Sequence, residues 1–128
     1  MSLTNAFETS TLSYLLTAGS VTRPTAWYIA LFTSDPTDTG TDGTEVTGYA
    51  YARTAVTFSV SGAVGTNSAA VEFPAASGGN WGTISHIGVM DASTSGNMII
   101  HSALTLAKAI NDGDVFRIPT GDLDITAD

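Results

Sequence analysis

The chain has 128 residues, enough for one hydrophobic core; hydrophobic residues are 43% of it and charged residues 12%, about half the usual charged share of a soluble domain. Four Lys and Arg (Arg23, Arg53, Lys108, Arg117) stand scattered against twelve Asp and Glu for a formal charge of −8, which argues against nucleic acid as a partner because phosphate binding needs a basic stripe. With no cysteine, disulfides and thiolate metal sites are excluded, and neither a bilayer-spanning apolar run nor a basic and apolar leader pattern is present. The expectation is a single domain over residues 1–128 that neither crosses a membrane nor carries an evident signal.

The first element is a short helix over Thr4 to Thr17, with Phe7, Tyr14 and Leu15 at the spacings of one face. Asn5 and Glu8 form a loose capping box, and Gly19 offers a left-handed stop. Such a helix would close one open end of a β core or dock on a partner. Ala26 to Thr33 is aromatic and branched behind Arg23-Pro24 and reads as a central strand, apolar on both faces. Ser34 to Gly48, with Pro36, three glycines and many threonines, reads as a long exposed loop whose acids are unpaired by the chain's four cations. Tyr49 to Val60 alternates, with Tyr49, Tyr51 and Arg53 on one face and Val56, Phe58 and Val60 on the other, which predicts one continuous strand.

Further strands are expected at Ser68–Phe73, Gly82–Met90, Met98–Leu106, Asp114–Ile118 and Asp122–Thr126, separated by Gly, Asn, Asp and Pro turn signals. The clearest hairpin spans Ala92 to Asn97, where Asp91 and Gly96-Asn97 supply the chemistry of a tight reversal. In the last strand Asp122, Asp124 and Asp128 alternate with Leu123, Ile125 and Ala127, the pattern of a charged edge. Strands at this spacing, with one N-terminal helix, predict an all-β fold: a mainly antiparallel β-sandwich or barrel.

Ser85, His86, Asp91, His101 and Ser102 offer the residue types of a nucleophilic triad. On a regular strand neighbours point to opposite faces, so Ser85 would not reach His86, nor Ser102 His101. No Gly-x-Ser-x-Gly turn or Gly-rich helix start accompanies them, so no catalytic residue, no cofactor and no metal site is assigned. The acids Asp35, Asp38, Asp42 and Glu45 provide hard oxygens of the kind calcium prefers, but their spacing does not match an EF-hand. Trp81, after Gly78-Gly79-Asn80, reads either as an exposed interface anchor or as a core lid. Tyr49 and Tyr51 beside Arg53 would stack on a sugar or pack under the neighbouring loop. Candidate interface residues are thus Trp81, Tyr49, Tyr51 and, from the helix, Phe7.

Several stretches carry a resemblance: Ser2-Leu3-Thr4-Asn5 before the helix, Tyr28 to Asp38, Glu45-Val46 to Tyr51-Ala52-Arg53, Asn67 to Pro74, Trp81 to Val89, and Ala103-Leu104 to Lys108. In this order, over nearly the whole chain, they resemble a family of small bacteriophage virion proteins that carry a tail-fibre or minor structural label. The resemblance implies a protein of the phage particle and carries no catalytic or binding residue across.

Within that class a capsid decoration or cement protein is the favoured expectation, because the chain lacks the heptads or repeats from which a fibre shaft gains length. A tail-fibre, baseplate or adaptor subunit is the alternative, and a carbohydrate-binding module using Trp81, Tyr49 and Tyr51 is a third. The expected partners are the major capsid protein or tail proteins, with self-association, as a trimer, through uncharged strand surface.

Overall fold

The computed structural model describes residues 1–127; Asp128, placed by the sequence on the last edge strand, lies outside the described residues. Strand makes up 37% of the chain and helix 9%, so the all-β expectation with one short helix holds. The elements are β1 (Ser2–Leu3), α1 (Asn5–Leu16), β2 (Tyr28–Phe32), β3 (Thr54–Ala55), β4 (Phe58–Ser61), β5 (Val64–Asn67), β6 (Val71–Glu72), β7 (Gly82–Met90), β8 (Met98–Ile110), β9 (Arg117–Ile118) and β10 (Asp124–Thr126).

All strand pairs are antiparallel and form a five-stranded sheet in the order β1-β8-β7-β2-β3, a three-stranded sheet β10-β5-β4 and a two-stranded sheet β6-β9. One core joins the sheets: Ile29 and Leu31 of β2 and Ile84 and Val89 of β7 pack with Val71 of β6 and Ile118 of β9. The second face of β2 is buried as well, Ala30 and Phe32 packing on Met90 and Met98. That double burial is why its sequence is an unbroken apolar run rather than an alternation.

β7 and β8 form the hairpin expected at Ala92 to Asn97. Asp91 closes it, its carboxylate accepting from the Asn97 amide at 2.7 Å, while Ser95 and Gly96 turn the chain through left-handed conformations. Asn67 is fully buried and fully used: Nδ2 donates to the carbonyls of Ala69 and Pro119 at 3.0 and 2.9 Å, and Oδ1 accepts from the Leu123 amide. These bonds tie β5 to the segment that leads into β10, the edge strand anticipated from the Asp122 to Thr126 alternation.

Three local expectations are corrected. Tyr49 to Val60 is not one strand, because Tyr49 and Ala50 both take positive φ, 51° and 66°, and only β3 and β4 pair beyond the turn. Tertiary bonds outweigh the alternation here: the Tyr49 carbonyl accepts from Ser77 N and Trp81 Nε1, and the turn sends the Tyr51 ring inward. Val60 in consequence is 76% exposed rather than buried. Second, the Ser68–Phe73 strand shrinks to the two residues of β6, Val71–Glu72, and β5, Val64–Asn67, precedes it where no strand was expected. Third, the capping box does not form. Thr4 is the N-cap and makes no side-chain cap bond; its hydroxyl donates instead to the Met98 carbonyl at 2.7 Å. The helix ends at extended Thr17, which bonds back to Ser13, and Gly19 is not left-handed.

Candidate interaction site

The acidic loop after β2 is a folded structure. Its return limb runs beside β2, with a bridge from Phe32 to Glu45 and the Val46 amide bonded to the Leu31 carbonyl, and Pro36 and Val46 are buried. Threonines supply the internal bonds: Asp35 Oδ1 accepts from the Thr37 amide at 2.8 Å and Asp42 Oδ2 from the Thr37 hydroxyl at 2.7 Å. Hydrogen bonds from Thr37 and Thr39 hold the Asp42 carboxyl below its ordinary range. Asp35, Asp38 and Asp42 are exposed as expected, but Glu45 is not free of the chain's cations. Arg53 grips it in a bidentate pair, Nε and Nη2 each 2.8 Å from a carboxylate oxygen. Among the described residues no cluster of three or more His, Asp or Glu side chains is arranged to hold a metal ion.

The two histidines meet this loop. His101 Nε2 lies 2.9 Å from Asp38 Oδ1, and Asp35 Oδ1 sits 3.9 Å from both His86 Nε2 and His101 Nδ1. Contrary to the expectation from strand alternation, Ser85 Oγ does reach His86 Nδ1, at 2.8 Å. The reason is a bulge: Ile84 pairs with Lys108 and His86 with Ala103, so Ser85 alone faces four residues of β8 and the alternation of side chains is lost. Since 3.9 Å is too long for a hydrogen bond, Ser85, His86 and Asp35 do not form a hydrogen-bonded relay. Ser102 bonds only to the neighbouring carbonyl of Ala103. His101 tethers the loop to the sheet through Asp38.

The aromatic candidates divide. Trp81 is 5% exposed, so it is a core residue and not a surface anchor. Its ring meets Tyr51 edge-on at 5.4 Å and Phe73 at 6.3 Å, with Phe73 in turn against Phe116. Tyr51 is half-buried, its hydroxyl accepting from the Leu31 amide at 3.0 Å and donating to Glu45 at 2.9 Å, and burial pushes its phenol well above the ordinary range. With Trp81 buried and the Tyr51 ring stacked on Phe73 at 6.2 Å, the two offer no flat platform for a sugar. Tyr49 is 52% exposed and lies over Gly79, where even a methyl group would sit 2.5 Å from the ring.

Besides Val60 and Val64 on the β4–β5 hairpin, exposed apolar side chains stand out in two places. Helix α1 buries no residue, and Leu12, Tyr14, Leu15 and Leu16 are all exposed. It touches the core only through half-buried Phe7, so it does not close the end of the sandwich. Between α1 and the segment after it runs a groove of about 420 Å³ lined by Phe7, Tyr14, Leu15, Val21 and Pro24. The second place is the outer half of β8, which runs on to Ile110, four residues past the expected Leu106, and carries Leu106 at 84% exposure. Leu104, Thr105 and Leu106 alternate in the sequence, but nothing local tells that no neighbouring strand will cover them.

The chain can therefore offer partners apolar helix and strand surfaces, with a separate acidic loop. No curated protein matches the sequence. The family described as Podophage GP4 fiber I protein gp80 matches residues 2–126, nearly all of the chain. The chain belongs to that family, and it is a structural protein of the bacteriophage virion.

Proposed function

We propose that the protein is a fibre-type appendage subunit of the phage particle and that it works by protein–protein contact rather than by catalysis. The observation that carries this reading is the helix α1: a 12-residue helix with no buried side chain and three exposed leucines. An isolated helix of this length is marginal in water, and most helices in globular proteins draw their stability from tertiary packing. Here the helix has little to pack against within its own chain, and its exposed leucines suit it to seat the domain on another virion protein. The family description supports a fibre in preference to other positions on the particle. Phe7 and Tyr49 remain candidate contact residues on this reading.

A capsid-decorating position on the major capsid protein is the second reading, favoured by a chain with no heptads or repeats from which to build a shaft. Electron cryomicroscopy of the intact particle separates the two. Density for this fold at the tail or at a fibre base supports the proposal, and density spread over the capsid lattice overturns it. A Leu12→Ser/Leu16→Ser double variant should fold in isolation and be depleted from assembled particles; incorporation at wild-type level would remove α1 as the seat.

A further inference from the structure

We infer that α1 is a hinged arm: it pivots on Thr4 and lifts off the sandwich while the core stays folded. This motion deepens the proposed role of α1 as a seat, on which it rests, by giving the helix its reach toward a partner.

The pivot is built from three segments. Thr4 is 2% exposed, and its amide donates to the Ile99 carbonyl at 3.0 Å and its hydroxyl to the Met98 carbonyl at 2.7 Å. The Asn5 amide donates to the Asp38 carbonyl at 2.9 Å, and the Asp38 carboxylate is itself held by His101. Gly40 closes the pivot from the loop side, where a methyl group would stand 3.2 Å from Thr4 Cγ2 and 3.0 Å from Met98 Cβ. The start of the helix is thus fixed to β8 and to the acidic loop at once.

Past Phe7 the holding stops. Among the described residues, no hydrogen bond or ion pair runs from residues 9–26 to any residue outside 5–26, and no residue from 5 to 28 is buried. The chain is caught again at Trp27, whose carbonyl accepts from the Val56 amide at 3.0 Å. A cleft of about 560 Å³ opens between the arm and the β7–β8 hairpin, lined by Ser10 and Ser13 of α1 and by Asp91 and Asn97. A segment with so few buried contacts opens at a small fraction of the global unfolding free energy.

The apolar side chains sit where the swing is largest. Leu12, Tyr14, Leu15 and Leu16 are all exposed at the far end of α1. Leu12 and Tyr14 point to opposite sides of the helix at 3.6 residues per turn, so no single face of the sandwich could bury all four and hold the arm down. With a rise of about 1.5 Å per residue, a tilt of about 20° at Thr4 carries the tip about 6 Å. Thr4 fixes where the arm leaves the domain, and the free tip adapts to what it meets.

The test uses the isolated full chain, which has no cysteine of its own. Spin labels on Leu16→Cys/Thr94→Cys report the tip against the hairpin, and labels on Ser59→Cys/Thr94→Cys report a distance within the sandwich. Expected is a distance distribution at least twice as broad for the first pair as for the second. In native-state hydrogen exchange, the amides of residues 9–16 should exchange at rates that subdenaturing urea leaves unchanged, while those of β2 and β7 quicken with urea. Thr4→Val keeps the shape of the side chain and removes its bond to Met98, so it should broaden the first distribution further and leave the second as it was. A tip-to-hairpin distribution as narrow as the control overturns the inference, and so do helix amides that exchange only with the urea-dependent opening of the core. A folded Thr4→Val chain with no added breadth overturns Thr4 as the pivot. Should that variant fail to fold, the label pairs and the exchange measured without it decide alone. None of these outcomes touches the position of the protein on the particle, which the microscopy reads independently.

Discussion

Arg53 and Glu45 form the joint between the acidic loop and the β7–β8 hairpin: the guanidinium holds the carboxylate by two parallel hydrogen bonds, and its Nη1 donates to the carbonyls of Ala92 and Ser95 at 3.0 and 2.7 Å. One side chain thus ties three segments far apart in sequence. A planar fork with several fixed donors makes this possible, and an ammonium would not reproduce it.

Arg53→Ala should cost about 2 to 3 kcal/mol in denaturant unfolding, somewhat less than for a fully buried pair broken from one side, because Glu45 is partly exposed. Arg53→Lys should recover less than half of that loss. Equal stability of the Lys variant and the wild type would show that only the charge matters.

Tyr51 leads to an alkaline prediction. Its burial and its hydrogen bond to Glu45 raise the folded phenol above the ordinary tyrosine value of 10.0, so the folded state keeps a proton that the unfolded chain releases. The stability from this neutral phenol is fully present below about pH 10 and is lost as pH rises above it, toward the folded value. Unfolding free energy should therefore fall with pH above about 10, and Tyr51→Phe should flatten that fall while lowering stability at neutral pH through the Leu31 amide left without its partner. An unchanged alkaline slope in the variant would assign the loss to other groups.

The opposite sign applies to Asp42. Its folded carboxyl lies below the ordinary 3.8, because of bonds from Thr37 and Thr39, so its contribution is present above that value and lost as pH falls through the folded one. Thr37→Val should move the Asp42 titration, followed by carboxyl NMR, back toward the ordinary value. A midpoint that does not move would mean the Thr37 hydroxyl is not its main cause.

Asn67→Leu should destabilise the protein by about 3 kcal/mol although it keeps the branching and the number of heavy atoms, since the Leu123 amide is left buried without a partner and the carbonyls of Ala69 and Pro119 lose their donor. Native-state hydrogen exchange should show the loss concentrated at β5 and β10. A cost below about 1 kcal/mol, the value of a solvent-replaceable bond, would mean water fills the gap.

Trp81→Ala should cost about 3 to 5 kcal/mol as a core truncation, because the rings of Tyr51 and Phe73 are both left without the indole they pack against. Association measured under conditions where the variant is still folded should match the wild type. Selective dissociation without loss of stability would return Trp81 to the interface that its burial denies it.

Much of the architecture is written locally. The unbroken apolar run of β2, the Gly82–Met90 strand and the Asp91 to Asn97 hairpin rest on side-chain burial and turn chemistry that neighbouring residues declare by themselves. Composition alone likewise announces a weakly charged, acidic, cysteine-free chain. What tertiary structure decided are the places where a distant group competes with a local preference. Trp81 Nε1 and Ser77 N capture the Tyr49 carbonyl and break an alternating strand. The bulge at Ser85 brings a serine and a histidine together that regular pleating would separate. Whether a strand edge such as that of β8 is covered is likewise no property of its own residues. It depends on where β1 stops, because a backbone hydrogen bond between strands belongs to two segments at once.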